Sequence, residues 1–324
     1  MGDERITTGF GADSTADDVV AGSDLGGLRV VVTGASSGLG VETARSLVRA
    51  GAEVVLAVRN PAAGAEASAS IAGTTGRSAP EVRVLDLADP GSADAFASAW
   101  SGPLHVLIAN AGVVTAGLVR TPEGRELQMA TNHLGHLRLA IGLHDALVAG
   151  AADRDGARIV SLTSGAHLRA PVDLDDLDHR ATPYDPQIAY ARSKTADVLF
   201  TVEATRRWAG DGVVANAANP GGIRTGLQRD FTQQQRDSLD AAEAAGVFAY
   251  RTPQQGAATT LVAAVAPELA GVGGRYLDDC REAETVDDDV SMMTAPHGVK
   301  RWALDPATAR ELWRRSTALT GLPD

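Results

Sequence analysis

One cysteine, Cys280, stands in 324 residues. A lone thiol excludes an internal disulfide and any cysteine-rich metal knuckle, and it fits a reducing compartment. Basic residues are also scarce: 29 Lys and Arg face 41 Asp and Glu, a formal net charge of -12. Such a field repels phosphate backbones and anionic membrane surfaces at long range, which sets nucleic acid aside as a partner. No apolar run approaches the roughly 20 residues that a bilayer span needs. The N-terminus, MGDERITTGFGADSTADDVVAGSD, has neither the basic nor the apolar region of a secretory leader. A cytoplasmic protein without a membrane span is expected. Internal repeats are missing too, as is any Pro-, Gly- or Ser-rich linker that would mark a second domain.

With 44% hydrophobic and 22% charged residues, the chain can bury a sizeable core. Residues 1–26 read as an extension holding a short helix: Ser14 or Thr15, followed three positions later by Asp17 or Asp18, offers an N-cap for a turn through Val19 and Val20. It is either docked on the body or a mobile arm. From residue 28 onward short β-rich runs (LRVVVTG, AEVVLAV, EVRVLDL, LHVLIANAG, ARIVSLTS, VVANAANPG) alternate with helical stretches, one of them long and near 124–149. Near-continuous Val/Ile/Leu runs are strands buried on both faces. The alternation predicts an α/β fold, a doubly wound parallel sheet with helices on both faces, as one domain over 27–324. An acidic loop (173–187) and a polar segment (227–246) interrupt the rhythm and are candidate walls of a substrate pocket. The region 226–250 is expected to form the substrate loop.

The first strand runs into Thr33-Gly34-Ala35-Ser36-Ser37-Gly38-Leu39-Gly40 and then a helix. Glycines at such a junction permit a tight turn and the close approach of a pyrophosphate to backbone N–H groups, and the helix N-terminus attracts negative charge. No Lys-Ser or Lys-Thr pair follows, which disfavours a nucleoside-triphosphate loop. Farther on, Tyr190 and Lys194 are four apart, adjacent on one face of a helix. A phenol ordinarily titrates near pH 10, and a neighbouring ammonium favours the phenolate, so this pair suits proton exchange with a carbonyl or alcohol. Tyr190 is the candidate general acid/base. At the end of the strand ARIVSL, a hydroxyl among Ser161, Thr163 and Ser164 faces the ligand crevice.

TGASSGLG resembles the TGxxxGxG fingerprint of the short-chain dehydrogenase/reductase family. Asn110-Ala111-Gly112 resembles its NAG motif, Tyr190-Ala191-Arg192-Ser193-Lys194 its YxxSK, and Pro220-Gly221 with Thr225 its PG motif. These ordered signatures cover roughly residues 28–225, and the tract 124–210 looks most like the retinol-dehydrogenase-like and protochlorophyllide-reductase-like branch. Ala109 and Thr163 depart from the family's commoner Asn and Ser. The resemblance implies a Rossmann-type sheet of about seven strands in the order 3-2-1-4-5-6-7. It also implies four catalytic residues: Asn132, which helps hold a water linking Lys194 to solvent, Ser164, which bonds the substrate oxygen, Tyr190 and Lys194. Lys194 would in addition bond the nicotinamide ribose. The cofactor would lie along Gly34, Ser36, Ser37, Gly38, Leu39 and Gly40, then Arg59, Asn60, Asp86 and Leu87. Asn110, Ala111, Gly112, Tyr190 and Lys194 would follow, and Pro220, Gly221, Gly222, Ile223 and Thr225 would close over the nicotinamide.

Arg59 follows the buried run VVLAV, where NAD-preferring relatives usually place an acid. A guanidinium there can fork onto a 2′-phosphate, so NADP(H) is the expected cofactor, with NAD(H) also usable. Asp86 would bound the adenine on the other side. A plain reading of Asn132 is a buried hydrogen bond to backbone. His133, His136 and His144 lack the further convergent ligands of a zinc site and are read as packing or surface residues; no metal is expected. The acidic runs 173–179 and 287–289 lack a calcium-loop pattern and read as solvated charge. Trp302, Leu304, Leu312 and Trp313 read as a closing helix packed on the core. The expected activity is hydride exchange between NADP(H) and a lipophilic carbonyl or alcohol. Alternatives are a non-catalytic dinucleotide-binding redox sensor, and a nucleotide-sugar epimerase or dehydratase, which would usually carry a larger C-terminal substrate domain than the residues after Pro220 provide. The family likeness further implies a homodimer or homotetramer paired through the helix bearing YxxxK.

Overall fold

Where β-branched residues cluster, the chain extends; where glycine or an N-capping side chain follows, it turns into helix. The computed structural model describes residues 5–154, 156–223, 233–244, 246, 249–291 and 294–323. A short α1 (Ala16–Val20) precedes β1 (Arg29–Thr33), α2 (Gly38–Arg49), β2 (Glu53–Val58), α3 (Pro61–Thr75), β3 (Glu81–Val84), α4 (Pro90–Ser98) and β4 (Val106–Ala109). A helical tract follows: α5 (Leu127–Met129), a π turn (Ala130–Leu134), α6 (Gly135–Gly142) and α7 (His144–Arg154). Then come β5 (Ala157–Leu162), α8 (Pro186–Trp208), β6 (Val213–Asn219), α9 (Gln233–Ala244) and α10 (Pro253–Val265). The chain ends with β7 (Tyr276–Asp278), β8 (Arg281–Glu282), β9 (Thr285–Val286), β10 (Val299–Lys300), α11 (Arg301–Leu304) and α12 (Pro306–Thr320).

The strands form one sheet in the order β3-β2-β1-β4-β5-β6-β7-β8. Pairing is parallel as far as β7, and β8 turns back antiparallel on it, one strand beyond the expected seven. Because the order reverses between β1 and β4, a crevice opens at their C-terminal ends, where open α/β sheets bind ligands. Alternate side chains feed two cores: Val30 and Val32 pack with α2, α3 and α10 residues, whereas Val31 faces Leu137, Leu147 and Phe200 on the other side. Both faces are covered, and the chain is a single domain.

At the N-terminus Thr15 and Asp18 close a reciprocal capping box, and Ala16, Val19 and Val20 are buried against α2 and α10. Asp17 fastens this turn by accepting from Ser46 Oγ at 2.6 Å and pairing with Arg49. At the other end α12 lies across α8. Trp313 stacks on Phe200 with centroids 6.1 Å apart and meets Trp208 edge-on at 5.2 Å. The single long helix expected near 124–149 is broken by the π turn and again at Leu143. The third strand stops at Val84, so Asp86 lies in the turn beyond it.

Candidate active site

Gly34 (φ +65°) and Gly38 (φ +58°) adopt left-handed backbone angles that carry the chain from β1 into α2. A Cβ on Gly34 would lie 2.9 Å from Ala111 Cα, and one on Gly40 would lie 2.6 Å from Asn110 Nδ2 and 2.8 Å from the Gly34 carbonyl. The glycine turn and the 110–112 segment are therefore in direct contact. Thr33 straps them together: its hydroxyl accepts from the backbone N–H groups of Asn110 and Ala111, both at 2.9 Å, and its carbonyl accepts from Asn110 Nδ2 at 2.7 Å. Ser37 precedes α2 without a side-chain cap and is exposed, as is Gly38, so the helix N-terminus is open to an anion. The exposed N–H end of α2 suits a dinucleotide pyrophosphate, and the bare Cα atoms of Gly34 and Gly40 let the 110–112 segment close against the turn.

Asp185 caps α8 through the N–H groups of Gln187 and Ile188, and Pro186 starts it, which places Tyr190 in its second turn. Lys194 Nζ lies 5.9 Å from the Tyr190 ring centroid. The lysine is buried. Its ammonium donates to the Leu162 carbonyl and to Asp197 Oδ2, both at 2.8 Å. Burial opposes its charge, but Asp197 and Tyr190 outweigh that and raise its pKa. Asp197 is pushed up to about 7 by burial, against the pull of Lys194. Two residues past Leu162, the half-buried Ser164 caps the 165–169 turn by accepting from Ala166 N–H at 3.1 Å. Its own hydroxyl hydrogen remains available to a ligand oxygen.

Asn132 explains the π turn. Fully buried, it accepts from Val113 N–H at 2.8 Å and donates to the Val113 carbonyl at 3.2 Å and Ser193 Oγ at 2.9 Å. Widening the helix at this point turns its amide toward residue 113, a use of π geometry common at functional sites. Its carbonyl lies 2.7 Å from His136 Nδ1, whose Nε2 lies 2.9 Å from Thr33 Oγ1. A Cβ on Gly112 would sit 3.4 Å from Asn132 Oδ1 and 3.7 Å from Lys194 Nζ. The plain reading of Asn132, a buried bond to backbone, describes its side chain. His133 is equally occupied, 2.9 Å from Ser316 Oγ. Burial holds His133 at about 3 and His136 at about 4, both far below the usual imidazole range.

At the far end of the crevice Val58 is buried, and Arg59 is exposed with no hydrogen bond or ion pair to any described residue. Asn60 spends its side-chain oxygen on capping α3, accepting from Ala62 and Ala63 N–H. Asp86 accepts from Ala88 N–H at 2.9 Å. Leu87 is a core residue whose carbonyl abuts Gly135, where a Cβ would come within 2.2 Å. Leu39, half-buried, packs beside Gly256. After β6, Gly221 (φ +80°) donates to Asn219 Oδ1, Gly222 accepts from Arg251 N–H at 2.8 Å, and Ile223 is buried. Pro220 is half-buried at this bend. Thr225 and much of the 226–250 segment lie outside the described residues.

The acidic loop corrects the expectation of solvated charge at 173–179. Asp176 and Asp178 are buried because donors meet them: Arg125, from a distant segment, reaches Asp178 at 2.7 Å, and the N–H groups of Arg180 and Ala181 in the same loop bond Asp176. Arg192 pairs with Asp173 at 3.3 Å. By contrast, Asp287, Asp288 and Asp289 are exposed. Sequence reasoning passed over Asp197, Thr33 and His136 as members of the site. For Asp197 a signal existed, since an acid three residues after a helical lysine faces it. A cavity of about 430 Å³ lined by Leu28, His105, Arg154 and Arg158 lies at the opposite edge, where the strands begin, away from all of these groups.

A Rossmann sheet carrying a glycine cradle at its first turn and a Tyr/Lys pair at its crevice defines a nicotinamide-dependent oxidoreductase. The family model for short chain dehydrogenase matches residues 29–236, and the chain belongs to the short-chain dehydrogenase/reductase family. Its relatives include a probable oxidoreductase of Streptomyces lividans, 49% identical over 90% of this chain and 96% of that one. Another is human retinol dehydrogenase 13, 36% identical over 91% of this chain and 85% of the relative, which sets the chain near the retinol-dehydrogenase-like branch. The crystal structure of an uncharacterized Mycobacterium Paratuberculosis protein superposes with a TM-score of 0.72 at 33% identity, covering 96% and 98% of the two chains.

Proposed function

We propose that this protein interconverts a carbonyl and an alcohol with NADP(H) as preferred hydride carrier. Support comes foremost from a buried, charged Lys194 beside Tyr190, with Ser164 at the adjoining strand end and Asn132 behind them. When bound, the nicotinamide supplies or accepts the hydride. Tyr190 passes the matching proton to or from the substrate oxygen. Lys194 stabilises negative charge on the tyrosine oxygen, and Ser164 donates to the substrate oxygen as charge develops there. Gly112 and the 220–223 bend would flank the nicotinamide, and the open N-terminus of α2 the pyrophosphate. Arg59, exposed next to the buried Val58 and without a partner among the described residues, supports the choice of the 2′-phosphorylated cofactor.

A lipophilic aldehyde, ketone or secondary alcohol is the substrate class that likeness to the retinol-dehydrogenase-like branch supports. A cytoplasmic location accords with the single cysteine, which is free and buried, and no helix among the described residues is long and apolar enough to cross a membrane. Tyr190→Phe tests the reading: turnover of the best substrate in a screen of carbonyls and alcohols should fall at least roughly 100-fold, as loss of a general acid/base does. Folding and NADPH binding should persist. Near-wild-type turnover by folded, cofactor-bound Tyr190→Phe would refute it.

A further inference from the structure

We propose that Asp197 is a positioning residue of this site: its carboxylate fixes the Lys194 ammonium in place and keeps it charged beside Tyr190. The inference rests on the reading of Tyr190 and Lys194 as the chemical centre, and it assigns a role to a side chain outside the YxxSK pattern. Three residues apart on α8, the two side chains meet at 2.8 Å, and each is buried. Among the described residues the Asp197 carboxylate has no other side-chain partner, so it serves the lysine alone. Of the three ammonium donors, one is spent on Asp197 and one on the Leu162 carbonyl, which leaves one for the reaction side. An ammonium with no anion in so dry a place would shed its proton more readily.

Few other charges compete for the pair. Tyr190 lies on the same helix. His133 and His136, from the π turn and α6, and His167, from the turn after β5, are all kept neutral at working pH by burial, at about 3, 4 and 4. Strand β6, VVANAAN, carries no ionisable side chain, and β5 offers Lys194 only a carbonyl. Several other charges near α8 are engaged elsewhere: Glu126 with Tyr184 Oη, Lys300 with the carbonyls of Asp287 and Asp288, Glu311 with Arg314 and Arg315, Asp173 with Arg192, and Glu203 with Arg206 and Arg207.

Asp197→Asn separates charge from shape, because its amide oxygen can still accept from Lys194 Nζ. The full chain would be assayed with NADP(H) across pH, with Asp197→Glu as the charge-retaining partner. Asp197 raises the lysine pKa, so removing its charge lowers it, and activity should then be lost at lower pH on the alkaline side. We expect the alkaline limb of kcat to move down by about one unit or more in Asp197→Asn. At pH values above the new limb kcat should fall roughly tenfold, while KM for cofactor changes by less than about threefold. Asp197→Glu should keep the wild-type limb. A hydrogen-bonding or packing role alone would leave the Asn limb where the wild type has it, and that result overturns the proposal. If Asp197→Asn does not fold, Asp197→Ser carries the same profile. Wild-type behaviour of Asp197→Asn alongside an inactive Tyr190→Phe would defeat this inference only; an active Tyr190→Phe would defeat the parent reading.

Discussion

In the proposed reading, Arg59 is the residue on which cofactor choice would turn. It follows a β2 whose last five residues are buried, and its guanidinium engages no described protein group, so it is free for a ligand. A carboxylate there would bond ribose hydroxyls and repel a 2′-phosphate; a guanidinium does the reverse. Arg59→Asp should therefore weaken NADPH binding by roughly 100-fold, the size of a lost charge-assisted contact, and weaken NADH binding far less. Fluorescence titration with both cofactors measures this, and equal losses would reject the role. Legibility differs sharply at this scale. The spacing of Tyr190 and Lys194 is visible in the sequence, and the two lie beside each other on α8; Arg59 is visible as a charged residue at a strand end, where it is exposed. Asp176 and Asp178 were misread because Asp178 is met by Arg125, 53 positions away, and Asp176 by backbone N–H groups of its own irregular loop, and neither contact leaves a periodic signal. Asn132 was singled out in the sequence, but its partner Val113 was not, since side-chain-to-backbone contacts across loops leave no periodic signal.

At the scale of elements, the glycine turn and the segment after β4 act as one piece. Thr33 bonds three polar groups of Asn110 and Ala111, and Gly34 and Gly40 leave no room between the two turns. A methyl group at Gly40 meets backbone atoms of Gly34 and Ala35 at 2.8 and 2.9 Å, which cannot move aside as the tip of a side chain could. Gly40→Ala should cost about 1–3 kcal/mol of stability, as overpacking does, and should weaken cofactor binding because the cradle is displaced. Thermal unfolding with and without NADPH checks both. An Ala variant of unchanged stability would show that the turn has slack. The main strands and the cap of α1 were legible because each carries a local pattern, buried β-branched runs and a capping box; the body of α8 was legible too, but its start at Asp185 and Pro186 falls in the stretch that reads as the acidic loop. The π turn and the two-residue strands β8, β9 and β10 were not, because long-range pairing alone defines them.

For the whole molecule, the decisive contact is α12 on α8. The sequence likeness implied subunits paired through the helix bearing Tyr190 and Lys194, but here the outer side of that helix packs against the chain's own C-terminus. Leu312 and Trp313 are buried against α8, and His133 lies 2.9 Å from Ser316 Oγ. Arg125 and Arg138 donate to the carbonyls of Leu319 and Thr320, tying the end of α12 to the segment before α5 and to α6. Among the described residues the large exposed apolar side chains are Val84, Leu118 and Val119. The chain should therefore sediment at micromolar concentration with the mass of one subunit, with or without NADPH. Trp313→Ala should lower stability by about 3–5 kcal/mol, because it opens a cavity at a junction of three aromatic rings. It should also loosen α12 and expose α8, so any dimer would appear in this variant and not in the parent. A stable wild-type dimer in analytical ultracentrifugation, unchanged by Trp313→Ala, would mean that subunits meet through a different face.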